Sequence, residues 1–325
     1  MPAISVIIPA FNAEETILET IQSIQQQTFQ DFELIVINDG SNDRTLEIVT
    51  QINELRLKVF SYENAGVSVA RNRGIDHAQG DFISFIDADD EWTSDKLESQ
   101  LSALQSNPNA GVAYSWSLNM SSNNNSLSFS QGCSSTLEGN IYPQLLLGSF
   151  IGSGSNILVR RDAVESTQLF KPTLNAYADW DFYLQLAINW DFVVICKNQI
   201  LYRKTSNSMS SKVKVMEEEG IYVLESIYQA APPELQYLKK QSLAFLHRYW
   251  ADLCLANSFD VDSIKLAQGY LWSSMSSYPE ILLEKYTQNL IVKLVLKWLL
   301  PTKVSSSAIQ TLKKLRSIRD PRLHP

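Results

Sequence analysis

Cysteine and histidine are scarce in this chain. Its three cysteines, Cys133, Cys196 and Cys254, stand far apart, form no CxxC pair and cannot all pair with one another. That argues against a disulfide framework and for a reducing compartment. The three histidines, His77, His247 and His324, have no metal-ligand spacing and read as surface residues. No segment approaches the roughly 20 apolar residues that a membrane-crossing helix needs. The opening MPAISVIIP lacks a basic leader region and reads as a strand rather than a signal peptide. A cytoplasmic protein is expected. Basic charge is also in deficit: 27 Lys and Arg against 35 Asp and Glu give a formal charge of -8, so no nucleic-acid partner is expected. No GxxxxGK[ST] or GxGxxG follows the first strand pattern, which disfavours ATPase and dinucleotide readings, and no GxSxG supports a hydrolase elbow.

What remains is the composition of an ordinary globular protein, 45% hydrophobic and 19% charged. The first 110 residues alternate between two periodicities. The β-branched run at 4–8 and the run at 33–37 predict buried strands, and 57–61 and 82–86 read as a third and a fourth strand. Helical spacing at 14–27, 43–52 and 67–78 separates them. This βαβαβαβ order predicts an α/β fold, a mainly parallel sheet flanked by helices, with ligands at the carboxyl ends of the strands. A further strand is expected at 110–120, an exposed Ser/Asn-rich loop at 121–135, a strand at 155–160, a helix near 180–188 and an extended segment at 192–203. Beyond about residue 212 helical patterns dominate, at 215–229, 235–256 and 263–275. Two parts are therefore expected: a catalytic domain over 1–212 and a helical C-terminal extension over 213–325.

The polar residues of the first part fall at strand ends. Asp87-Ala88-Asp89 follows the apolar run 82–86, and two carboxylates so placed cannot both be core residues. Oxygen ligands of this kind suit Mg²⁺ or Mn²⁺, particularly when a diphosphate completes the shell. Asp39 closes the second strand, and Pro9-Ala10-Phe11-Asn12 closes the first. A carboxylate there can accept the imide N–H of uracil and a ring can stack on the base, although Asp39-Gly40-Ser41 also reads as a plain strand-to-helix turn.

Four segments in this order, SVIIPAFN at 5–12, VINDGSNDRT at 36–45, NAGVSVARNRG at 64–74 and FIDADD at 85–90, resemble the family 2 glycosyltransferases of the GT-A fold. The resemblance covers about residues 3–112 and, less strongly, 150–210. It implies an inverting transferase that moves one sugar from a nucleotide diphosphate to an acceptor hydroxyl, on a carbohydrate or lipid-linked acceptor. It implies that Pro9, Phe11 and Asp39 hold the base and that Arg71 lies near the donor phosphates or base edge. Asp87 and Ala88 would belong to the donor site, and Asp89 would bind the metal. Read without the family, Arg71 is equally a surface cation on an amphipathic helix.

ADWD at 178–181 resembles the family segment that carries the general base, with Ala178 where an acid often stands. Asp179 is the expected base and Asp181 the reserve; helix capping is the competing role. YRKT at 202–205 resembles a segment in which His often takes the place of Thr205, so Arg203 or Lys204 become candidate phosphate contacts. GSGSN at 152–156 could line the acceptor pocket, but a flexible turn is the plainer expectation. Ala178 and Thr205 keep a non-catalytic sugar-nucleotide-binding module open as a rival, and a sugar nucleotidyltransferase is another. The absence of a QxxRW-like segment after Asp179 disfavours a processive synthase.

Finally, LIVKLVLKWLL at 290–300 is too short to span a bilayer but suits an interfacial helix, with Lys293 and Lys297 on one face and Trp298 at headgroup level. From Lys293 onward eight Lys or Arg accompany one acid, Asp320. Peripheral contact with a membrane through 290–322 is one expectation. A helix packed on the catalytic domain with its lysines in water is the other.

Overall fold

A computed structural model describes residues 1–123, 126–204, 212–257, 260–301 and 304–305. The chain divides into two compact units, Met1–Leu145 with Ser149–Ser206, and Leu146–Gly148 with Asn207–Pro325. Thr205, His324 and most of the basic stretch after Pro301 lie outside the described residues.

The first unit begins with β1 (Ile4–Ala10), α1 (Ile17–Gln25), β2 (Phe32–Asp39), α2 (Thr45–Thr50), β3 (Leu57–Tyr62), α3 (Val67–His77) and β4 (Phe82–Phe85). It continues with β5 (Glu91–Trp92), α4 (Lys96–Ser106), β6 (Ala110–Asn123), β7 (Ser126–Gln131), α5 (Tyr142–Leu147), β8 (Leu158–Arg160), α6 (Arg161–Glu165), α7 (Ala178–Ala187) and β9 (Asp191–Arg203). The sheet order is β3-β2-β1-β4-β8-β6-β9-β5, with β7 paired to β6. β3, β2, β1 and β4 are mutually parallel, while β4–β8, β8–β6 and β9–β5 are antiparallel. All seven residues of β1 and all eight of β2 are buried, as expected of strands covered on both faces. The core joins Ile4, Val6, Ile8, Leu34 and Val36 to Ile17, Ile21 and Ile24 of α1.

Residues 121–135 are not simply a loop. Ser126–Gln131 returns antiparallel along β6, pairing Leu118 with Gln131 and Asn123 with Ser126. Polar Ser and Asn mask the alternation because this hairpin has little to bury: Leu127 and Phe129 remain exposed. His77 is half-buried rather than on the surface. Its ring stacks on Phe60 at 3.6 Å, and its Nε2 lies 2.7 Å from the Tyr62 hydroxyl. His247 is likewise half-buried, beside Trp250 and Tyr270.

The second unit holds α8 (Val213–Ala230), a 3-10 turn at Pro233–Leu238, α9 (Lys239–Asn257), α10 (Val261–Ser277), a second 3-10 turn at Pro279–Leu283 and α11 (Lys285–Leu299). The Asp260 carboxylate caps α10 by accepting from the Ser263 N–H at 2.7 Å. The lysines of α11 do not form the outward cationic face that their spacing suggests. Lys293 pairs with Asp252 of α9 at 3.1 Å, and Lys297 is buried.

Candidate active site

In a parallel sheet all carboxyl ends lie on one edge, so β1, β2 and β4 deliver their terminal residues together. Register fixes the alignment: Ala10 pairs with Asn38 on one side of β1 and Ile7 with Phe85 on the other. Asp39 and Asp87 therefore emerge on the same edge, two strand spacings or about 10 Å apart across the sheet. The strand-end loops are laced together. The Asn12 N–H donates to Ser41 Oγ at 3.0 Å, and the Asn42 N–H donates to Asn12 Oδ1 at 2.8 Å. Asn12 is held in the left-handed region at φ 49°, turning the chain sharply after β1, and Phe11 is left 49% exposed at this edge, two residues past Pro9.

Asp39 is buried, and its carboxylate accepts from the Ala65 and Gly66 N–H groups, the latter at 2.8 Å, and from Arg73 at 3.0 Å. Arg73 in turn lies over the Tyr62 ring at 4.4 Å and donates to the Glu63 carbonyl. Gly40 follows at φ 73°, and a Cβ there would meet the Asn64 N at 2.7 Å, so the turn requires glycine. Asp39 thus ties β2 to the start of α3. It sits at the expected strand end but is already richly hydrogen-bonded.

Arg71 is not a surface cation. Its side chain is 5% exposed, and it reaches the Asp87 carboxylate at 2.6 Å. Its guanidinium packs beside the Phe170 ring at 5.2 Å, and its Nε has no hydrogen-bond partner among the described residues. Its charge also acts on Asp179 at the start of α7. One buried cation therefore links the β4 terminus to the candidate base.

The three acids after β4 have different surroundings. Asp87 holds Arg71, and its N–H donates to Ser155 Oγ at 3.0 Å. Ala88 is buried, and its carbonyl accepts from Thr16 and Thr20 of α1. Asp89 is half-buried and forms no ion pair among the described residues. Burial, then the charge of Asp87, pushes its carboxyl up to about 6. Asp90 is fully buried, bonded to Ser155 Oγ at 2.5 Å and to the Arg203 N–H at 3.0 Å; burial and the charges of Asp89 and Asp87 drive its carboxyl well above the usual range. Three carboxylates within four residues raise one another's cost of ionisation, with the Arg71 and Arg203 guanidinium groups nearby, and a divalent cation would relieve it further. No group of three potential ligands is gathered to hold an ion among the described residues. The fit is therefore to a cation held by one or two of these carboxylates, with other ligands coming from a bound diphosphate and water.

Two segments behave differently from their plain sequence reading. GSGSN at 152–156 is a packed strap, not a flexible turn. Ser155 and Asn156 are fully buried, and Asn156 bonds the Ser115 N–H and carbonyl at 2.8 and 2.7 Å. Arg203 is committed to bracing: its Nε donates to the Asp89 carbonyl at 2.9 Å and its NH2 to Glu19 and Glu91. Asp90, Ser155 and Arg73 carry structure that no local motif singles out. The third acid of the run at 87–90 was the one visible hint.

On α7, Asp179 is half-buried and its Oδ1 accepts from the Trp180 N–H at 2.7 Å. Burial pushes its carboxyl up to about 6 against the opposing pull of Arg71. Asp181 is buried, with Lys171 at 2.6 Å and Gln185 at 2.7 Å on its two oxygens. One turn on from Asp179, the Tyr183 hydroxyl donates to the Ser153 carbonyl at 2.8 Å. Asp181 is thus committed to two partners, whereas the raised Asp179 carboxyl is suited to exchanging a proton near neutral pH.

A parallel nucleotide-type half-sheet, an acidic strand end and a facing carboxylate on a later helix define a sugar-nucleotide-dependent transferase of the GT-A type. The model of the glycosyltransferase-like family 2 matches residues 5–251, and the chain belongs to that family. It is 32% identical over 215 residues to TuaG of Bacillus subtilis, a protein named for teichuronic acid biosynthesis; the match covers 65% of this chain and 82% of that one. It is 41% identical over 105 residues to the Escherichia coli β-1,3-glucosyltransferase WfgD, named for transfer from UDP-Glc to a GlcNAc-diphosphoundecaprenol, covering 32% of this chain and 42% of the other. Among solved structures, S. aureus TarS 1-349 superposes with a TM-score of 0.57 at 22% identity, over 97% of this chain and 91% of that one. A mannosyltransferase from Pyrobaculum calidifontis, solved with GDP-Man and Mn²⁺, gives 0.57 at 18% identity over 90% and 87%. At these identities the two structures speak for the fold alone.

Proposed function

We propose that this glycosyltransferase moves one sugar, with inversion, from a UDP-sugar to an acceptor hydroxyl in the synthesis of a cell-surface polysaccharide or glycolipid. The observation that carries the reading is the buried Arg71, joined to Asp87 at 2.6 Å and acting electrostatically on Asp179. It supports a donor edge and a base that belong to one site.

In this reading Phe11 stacks on the base, with Pro9 and Asp39 shaping its edge. Ala65 N–H bridges both Asp39 oxygens at 3.1 Å, so a modest shift frees a lone pair for an imide donor. Asp87 and the Ala88 backbone line the ribose and sugar, and Asp89 holds Mg²⁺ or Mn²⁺. That ion, when bound, stabilises charge on the departing diphosphate. Asp179 takes the acceptor proton as its oxygen bonds to the anomeric carbon and the bond to the diphosphate oxygen breaks. A carboxyl raised to about 6 is mostly ionised at neutral pH yet more basic than a free aspartate, which favours this step.

The catalytic domain is taken as 1–212 and the helical extension as 213–325. The two sugar-polymer relatives support a carbohydrate or lipid-linked acceptor. Such an acceptor supports work at the inner face of a membrane, and no helix among the described residues is long and apolar enough to cross one. The test is a panel of nucleotide sugars with Mn²⁺, read by thermal stabilisation and by the nucleotide released. A bound donor raises stability by mass action. Preferential stabilisation by a UDP-sugar, with UDP as product, is expected. Preference for GDP- or dTDP-sugars would remove the donor assignment, and pyrophosphate as product would indicate sugar-nucleotide synthesis instead.

A further inference from the structure

Among the described residues, the second unit carries an apolar face that its own helices do not cover. From Val292 onward the exposed residues of α11 are Val292, Val295, Trp298 and Leu299, while Lys293 is held by Asp252 and Lys297 is buried. Spacings of three and four keep Val292, Val295 and Leu299 on one stripe, with Trp298 beside it. On the neighbouring α10, Trp272 is 70% exposed, nearly matching Trp298 at 72%, and Leu266 is exposed one and a half turns earlier. A groove of about 590 Å³ separates the two helices, floored by Leu271, Met275, Ile291 and Leu294 and edged by Lys265 and Trp272.

We propose that this α10–α11 face docks the protein on an anionic lipid bilayer, with Trp272 and Trp298 as twin interfacial anchors. The proposal rests on the membrane-side reading above and extends it: Trp272 of α10 joins Trp298 on one face, and Lys293 and Lys297 are held inward while the apolar stripe turns out. Two features select lipid over another occupant. Indole rings, apolar in body with one polar N–H, suit the boundary between headgroups and acyl chains. Beyond α11 the sequence carries six Lys or Arg against Asp320 alone, in a protein whose total charge is -8. Such a local excess of cations complements an anionic surface.

The experiment is flotation of the full chain with vesicles of phosphatidylcholine, with or without phosphatidylglycerol, in low and high salt. The expected result is binding at least tenfold tighter to the anionic vesicles, weakened by salt and reduced tenfold or more in the double variant Trp272→Ser, Trp298→Ser. Both side chains are exposed, so the variant should fold; unchanged nucleotide release with a soluble acceptor checks this. Equal flotation of variant and wild type overturns the proposal. So does light scattering that finds a wild-type dimer, a monomeric variant and no vesicle binding, which would assign the face to a second copy. Flotation needs no substrate, so its failure leaves the transferase reading standing, and failure of transfer leaves the docking result intact.

Discussion

Arg71 and Asp87 meet at 2.6 Å because Gly154 leaves room for the guanidinium. A Cβ at Gly154 would stand 2.5 Å from Arg71 NH2 and 3.0 Å from its Cζ. Arg71 is buried and held at its far end, so it cannot swing away without losing the ion pair.

Gly154→Ala should therefore act as a remote lesion of the Arg71–Asp87 pair. The expected outcome is a fall in kcat of about 10- to 100-fold, as misplacement of a catalytic group by an ångström can cause. Thermal stability should drop by only about 1–3 kcal/mol, the usual cost of overpacking. Steady-state kinetics beside a melting curve check both.

The acidity of the site makes a second prediction. Burial pushes the carboxyls of Asp89 and Asp179 up to about 6, above the usual aspartate range. Transfer should rise with pH through about 6 and level off above it, since the base and the metal ligand must both be charged. For stability the sign is opposite. A carboxyl whose folded value is raised favours the protonated fold, so this contribution is complete below about 4 and is lost as pH climbs through about 6. Mn²⁺ should restore it, and thermal melts with and without Mn²⁺ should diverge above pH 6 and converge below it.

How much of this was readable beforehand follows from where burial and polarity coincide. The apolar runs of β1 and β2 are buried throughout, so they announce themselves, and the acids at the ends of β2 and β4 stand out because charge there needs a reason. Asp90 and Ser155 did not stand out. Their pairing joins residues 65 apart, and nothing local marks either as buried. The strap at 152–156 reads as a turn because Gly and Ser favour turns, whereas its rigidity comes from Asn156 bonding β6. The inward lysines of α11 were hidden for the same reason: Asp252, the partner of Lys293, lies on another helix.

Lys96 offers a test of the packing under the site. It is fully buried, with Nζ 2.6 Å from Ser84 Oγ and 3.8 Å from the Trp92 ring centre, and burial drives its ammonium well below the usual lysine range. Lys96→Met keeps the chain length and removes the desolvated amine, and Ser84 still donates to the Ile157 carbonyl. Denaturant unfolding should show a gain of about 1 kcal/mol, the direction seen when buried charge is replaced by packed apolar atoms, with transfer unchanged.

Asp181→Asn should separate structure from chemistry on α7. It leaves the partly buried Lys171 without its carboxylate, costing about 1–3 kcal/mol of stability. Below the melting range kcat should stay within a few-fold of wild type.

The most direct measurement is Asp179→Asn, assayed for sugar transfer and, by calorimetry, for donor affinity with Mn²⁺. The expected result is a fall in kcat of at least about 1,000-fold, about 4 kcal/mol of transition-state stabilisation, with donor Kd within about threefold of wild type. Transfer at the wild-type rate would contradict it, because the carboxylate facing Arg71 would then have no part in deprotonating the acceptor.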